Sequence, residues 1–263
     1  MTAFRSRSAR VRSRLRSAFG PGALLATMLV AAAWPAPAQA QVVEGRPSSY
    51  RSPQHFAIEL RFGPYRPDID SEFGGARTPH KDFFGAKRRL MSQIEFDYQF
   101  LRHVGSAAIG VGAGYFSQSG NNRSAGGDLT EDWSTLRLIP LSVSAVYRFD
   151  LLFERFKFPL VPYGKVGLDY VIWTITNGNG DVPDDPVGGR GQGGTAGWHA
   201  AVGLSLVLDF LDPISAHQFD IEMGVNHTHL FVELGHWDVS GLGMSNKLRV
   251  GDTTWVGGLL FEF

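Results

Sequence analysis

The chain has 263 residues, 43% of them hydrophobic, and its 25 basic residues balance 25 acidic ones. The balance leaves no basic stripe for a nucleic acid. With no cysteine there is no disulfide framework, thiolate metal site or acylated cysteine, and no uninterrupted run of 18 apolar residues offers a spanning helix.

The elements begin with an export segment. Residues 1–40 hold Arg5, Arg7, Arg10, Arg12, Arg14 and Arg16 and no acid. A short apolar run follows from Gly22 to Ala33, then Ala38-Gln39-Ala40. This order predicts a signal peptide over 1–40, cut after Ala40 by recognition of Ala38 and Ala40. The remaining chain is then net negative. Residues 41–53, with Pro47, Ser48, Ser49 and Pro53, predict an irregular periplasmic leader.

From residue 54 onward, period-two alternation predicts eight strands. The first covers 54–63, with Phe56, Ile58, Leu60 and Phe62 opposite Glu59 and Arg61. The second, 91–102, sets Ile94, Phe96, Tyr98 and Phe100 against Glu95 and Asp97. The third, 105–117, sets Ile109, Val111 and Tyr115 against Gly110, Gly112 and Gly114. The fourth, 135–149, sets Ile139, Leu141, Val143 and Tyr147 against Ser142, Ser144 and Arg148. Arg137 fits badly there, because it shares parity with the apolar face while Leu136 and Leu138 share the other; a bulge or a position above the bilayer would account for it.

The fifth strand, 161–174, sets Val166, Leu168, Tyr170 and Ile172 against Lys165 and Asp169. The sixth, 196–210, sets Trp198, Val202, Leu204 and Leu206 against His199 and Asp209. The seventh, 217–227, sets Phe219, Ile221, Met223 and Val225 against Asp220 and Glu222. The eighth closes the chain, with Trp255, Leu259, Phe261 and Phe263 on one face and Glu262 on the other. Connections over 64–90, 118–134, 175–195 and 228–251 read as long extracellular loops, and those over 103–105, 150–160 and 211–216 as short periplasmic turns. An even strand count, two aromatic girdles and loops long at one end predict an all-β, antiparallel up-and-down transmembrane barrel over 54–263. A strand can enter lipid only in a closed barrel, since an open sheet edge leaves backbone groups unpaired. A soluble lipocalin-like barrel is the alternative fold.

The inward charges Glu59, Arg61, Glu95, Asp97, Arg148, Lys165, Asp169, Asp209, Asp220 and Glu222 predict a polar network in a narrow lumen, because buried charges must be paired. The same residues would make any conduit favour cations. His227-Thr228-His229 and the acids Asp181, Asp184 and Asp185 lack the spacing of a metal site and read as solvated loop residues. No G-x-S-x-G motif is present, and His199 is the one inward histidine of a strand interior. No catalytic residue, metal or cofactor is expected.

The mature chain resembles small eight-stranded outer-membrane barrels of Gram-negative bacteria. The stretch Phe158-Pro159-Leu160-Val161-Pro162-Tyr163-Gly164-Lys165-Val166-Gly167-Leu168-Asp169-Tyr170 with Phe263 is similar to an outer-membrane barrel family of myxobacteria. The closing segment Trp255, Leu259, Phe261 and Phe263 resembles the C-terminal insertion signal of such proteins. The resemblance implies insertion by the barrel-assembly machinery, a monomer, and partners in the outer-membrane bilayer and its lipopolysaccharide. It implies no activity. The expected role is structural or loop-mediated interaction; the alternatives are a narrow channel for small hydrophilic or amphipathic solutes and a lipid-modifying enzyme.

Overall fold

The computed structural model describes residues 54–74, 76–102, 104–123, 129–183, 191–244 and 248–263. The expected signal peptide, its cleavage site and the leader lie outside these residues, as do Asp184 and Asp185.

Eight strands close on themselves: β1 Phe56–Tyr65, β2 Arg89–Arg102, β3 Ser106–Arg123, β4 Leu129–Arg148, β5 Leu160–Thr176, β6 Gln192–Val207, β7 His227–Asp238 and β8 Asp252–Glu262. Every neighbour pair is antiparallel, and β8 returns to β1 through pairs such as Ile58↔Phe261 and Leu60↔Leu259. Alternation explains the two surfaces. Outward positions include Val166, Leu168, Tyr170, Val202, Leu204, Leu230, Val232 and Leu234, all exposed; Leu168 keeps 64% and Val202 67% of their surface. Inward positions bury Glu59, Arg61, Glu95, Asp97, Arg148 and Lys165. A soluble barrel has the opposite polarity, with its apolar residues inside. An apolar belt of this extent has its partner in hydrocarbon. Among the described residues no helix is long and apolar enough to cross a membrane, so any crossing is made by strands.

The two ends differ. One carries the start of β1, the end of β8 and the connections β2–β3, β4–β5 and β6–β7; we call it the terminal end. The far end carries the rest. A spanning strand needs about 9–11 residues, so β3 with 18 and β4 with 20 overhang the belt. Their ladder runs on to Asn121↔Trp133, through a stretch expected as loop. A 3-10 turn, Ile69–Phe73, and helix α1, Pro79–Phe84, fold over the far mouth.

The terminal end corrects the sequence reading. Residues 217–226 are not a strand. Helix α3, Pro213–Met223, takes up most of them, and the seventh strand is the stretch expected as an external loop. Local chemistry beats alternation here. Asp212 caps the helix by accepting from the backbone N–H groups of Ile214 and Ser215, Pro213 takes the first turn, and Gly224 ends it at φ 72°. The β6–β7 connection is therefore long, and loop length does not separate the two ends. A shorter helix, α2 (Leu151–Phe156), fills the β4–β5 connection. Arg137 needs no bulge, because the β4–β5 register runs unbroken through Leu136↔Ile175, Arg137↔Thr174 and Leu138↔Trp173. Arg137 faces outward, and Leu136 and Leu138 are fully buried inside the barrel.

Candidate functional site

Among the described residues, the lumen gathers most of the buried charge. Six of the expected network residues meet at its waist. Glu59 sits at the centre: its Oε2 lies 2.7 Å from Arg61 Nη1 and 2.5 Å from Lys165 Nζ, and its Oε1 lies 2.6 Å from Arg148 Nη2. Glu95 is 3.0 Å from both Arg61 and Lys165, and Arg148 also pairs with Asp97. Each strand puts its residue there because inward positions recur every second residue. Gly110 makes room: a Cβ on it would meet Asp97 Oδ1 and Glu95 Oε1 at 2.5 Å. The sequence reading missed Glu233, which pairs with Arg61 and accepts a 3.0 Å hydrogen bond from Tyr163 Oη. The alternation of Leu230, Val232 and Leu234 would have found it, had β7 been recognised as a strand.

The other expected members lie elsewhere. Asp169 is two inward positions farther along β5 than Lys165, where it pairs with His199. Asp209 follows the end of β6, outside the waist, and lies 2.5 Å from His227 Nδ1. Asp220 and Glu222 are on α3, where Asp220 lines the terminal mouth and Glu222 is exposed. Helical periodicity replaces the strand alternation that would have aimed both into the lumen. His229 points inward within 3.3 Å of Glu262, and Glu262 accepts from Gln99 Nε2 at 3.0 Å. His227-Thr228-His229 thus starts β7 at the terminal end and is no external loop. No group of three or more residues suited to a metal gathers among the described residues.

Above the waist a second layer is apolar. Phe116, Leu136 and Leu138 are wholly buried, with Tyr65, Ile69, Val171, Val239 and Val250 packed around them. Tyr65 meets Phe116 edge-on at 4.9 Å and donates its hydroxyl to the Val250 carbonyl. Ile69 comes from the 3-10 turn, and Phe84 of α1 packs on the cluster, so the far-end cap is pinned to this layer.

Between the layers lies a chamber of about 50 Å³, lined by Arg61, Gln93, Ser142, Ser144, Asp169 and His199 among others. It has room for a few waters. On its wall, Ser144 Oγ is 3.3 Å from His199 Nε2, and His199 Nδ1 is 2.8 Å from Asp169 Oδ2. The register builds this row. Ser144 faces Gly167, and Gly167 faces His199. Only glycine lets the imidazole lie across β5, since a Cβ there would meet His199 Cε1 at 2.5 Å. Trp237 stacks on the other side of the ring. Below the waist, a mouth of about 360 Å³ opens at the terminal end between Arg148, Phe153, His227 and Glu262.

No protein-family model matches the chain, and the comparison with curated proteins finds no match; neither bears on the myxobacterial resemblance. Solved structures do match. The attachment invasion locus protein Ail of Yersinia pestis, in complex with the heparin analogue sucrose octasulfate, is 11% identical, covering 80% of this chain and 97% of its own, with a TM-score of 0.36. Neisserial surface protein A is 11% identical, covering 80% and 94%, TM-score 0.40. The outer membrane protein OprG of Pseudomonas aeruginosa is 14% identical, covering 80% and 96%, TM-score 0.43. Likeness this low carries no argument about role. The class, a closed eight-stranded antiparallel barrel with an apolar exterior, rests on the chain's own register and burial.

Proposed function

We propose that the chain is a monomeric integral protein of a Gram-negative outer membrane, with its terminal end in the periplasm. In this reading it is a closed scaffold that displays its far-end connections, and no solute passes through it. The observation that carries this is the pair of stacked plugs: a charged one in which each cation meets two or more carboxylates, and an apolar one whose central side chains have no exposed surface. The bilayer and its lipopolysaccharide are the partners of the outer belt. Arg137 supports this, since a charge at the far rim of an apolar face sits where lipid phosphates lie. The barrel-assembly machinery would insert the chain through its closing strand. The test is planar-bilayer conductance of the refolded chain, with heat-modifiable gel mobility as the control for folding. A silent bilayer is expected. Steady, cation-selective steps would instead establish the narrow channel.

One observation favours a second reading. Serine, histidine and carboxylate in this order are the parts of a base-activated nucleophile. His199 would take the Ser144 proton as Oγ bonds to an acyl carbon, then pass it to the departing alcohol; water would release the acid. Against this, Ser144 lies mid-strand with both ladders occupied, so its neighbouring backbone N–H groups are not free to hold an oxyanion. A small fluorophosphonate separates the readings: labelling lost in Ser144→Ala and His199→Ala makes the barrel an enzyme, and no labelling leaves the row structural.

A further inference from the structure

Helix α3 has apolar side chains on two opposite faces and buries none of them fully. Ala216 and Phe219 turn toward the barrel, while Ile214 and Ile221, seven residues apart, lie on one stripe of the other side. Ile214 is 74% and Ile221 69% exposed, and Phe210 and Leu211 beside them are exposed too. The helix is polar between these stripes, at His217, Gln218, Asp220 and Glu222, and an ordinary surface helix would be polar on the side away from the barrel as well. Here one side leans over a groove of about 290 Å³ whose walls include Leu208, Leu211 and Phe219, with Thr228 and Phe261 as its other edge. Thr228 and Phe261 are cross-strand partners on the outward face of β7 and β8. The groove therefore opens on the same surface as the apolar belt and continues it below the terminal rim.

We infer that α3 is a membrane foot: it lies in the periplasmic leaflet, with Ile214 and Ile221 at the headgroup–acyl boundary and a phospholipid acyl chain in the groove behind it. The inference rests on the membrane reading above. Its charge fixes the kind of surface. Residues 208–226 contain Asp209, Asp212, Asp220 and Glu222 and no lysine or arginine. Interfacial helices that seek anionic lipid are rich in basic residues; this one holds by apolar contact alone and suits a zwitterionic leaflet.

The chain lacks cysteine, so single labels are clean. Ile221→Cys and Ile214→Cys are made singly, labelled with bimane and reconstituted in phosphatidylcholine vesicles, with Val232→Cys on the outer belt as reference. All three positions are exposed, so folding is spared, and heat-modifiable mobility checks it. A helix seated about 5–10 Å into the boundary predicts about a twofold loss of emission at positions 214 and 221 with shallow doxyl lipid, and less with deep. Position 232 should be quenched most by deep label. Quenching at 232 with free access of aqueous iodide to 214 and 221 would overturn the foot and leave the membrane barrel. Lack of lipid quenching at all three would overturn both. Cross-linking between Ile221→Cys chains at high lipid dilution would give the surface to a second copy and also overturn the inference.

Discussion

Arg148 shows how the waist is held. It is almost wholly buried and is shared between Glu59 and Asp97. Removing one partner of a buried pair leaves the others charged and dry, which costs about 3–5 kcal/mol. Arg148→Ala should therefore lower the urea midpoint of the folded barrel strongly, and a midpoint unchanged from the parent would disprove the shared role. The row on the chamber wall makes a different demand. Gly167→Ala places a methyl group against His199 and the Val143 carbonyl, and overpacking of this kind costs about 1–3 kcal/mol. The same unfolding experiment reads it, and Gly164→Ala, where the nearest atom would be 3.8 Å away, should be nearly neutral. Alternation alone made the inward set Glu59, Arg61, Glu95, Asp97, Arg148 and Lys165 legible. It did not reveal which of them meet, because partners come from strands up to 106 residues apart.

At the scale of elements, the far-end cap and helix α3 carry the testable behaviour. His80 of α1 is buried, and neither ring nitrogen has a hydrogen-bond partner. Burial pushes its pKa below the ordinary histidine value; nearby Asp70 opposes this and Arg66 adds to it. A base with a depressed folded pKa is protonated more readily when unfolded, so the cap loses stability as pH falls below the ordinary range. Limited proteolysis within 66–88 should be faster at pH 5 than at pH 7.5, and His80→Leu should remove that difference. At the other end, hydrogen bonds from Ser215 hold the Asp212 carboxyl below its usual range. Asp212→Ala should fray the first turn of α3, read as faster amide exchange at residues 214–216, with the barrel strands unaffected. The misassignment of this segment came from its composition. Phe219, Ile221, Met223 and Val225 alternate as a strand would, and only the Asp212-Pro213 start and Gly224 stop mark a helix.

For the whole molecule, the two plugs act in series. Phe116→Ala with Leu138→Ala opens the apolar layer and leaves the charged waist, so this variant should remain silent in a planar bilayer. Adding Arg148→Ala and Glu59→Ala, which removes the central carboxylate of the waist and one of its cations, should give conductance. Steps from the first variant alone would show that the waist does not seal. Eight strands leave an interior just wide enough for side chains, which is why two layers suffice.

The sequence by itself determined the strand-forming alternation, the apolar outer face and the charged inner one. These are properties of neighbours two residues apart, written along the chain. The tertiary structure alone decided the register, and with it the Glu59-centred network, the Ser144–Gly167–His199 row and the apolar plug of Phe116, Leu136 and Leu138. Those contacts depend on how the ring of strands closes, and inward leucines read from parity alone look like errors until the opposite wall is in place.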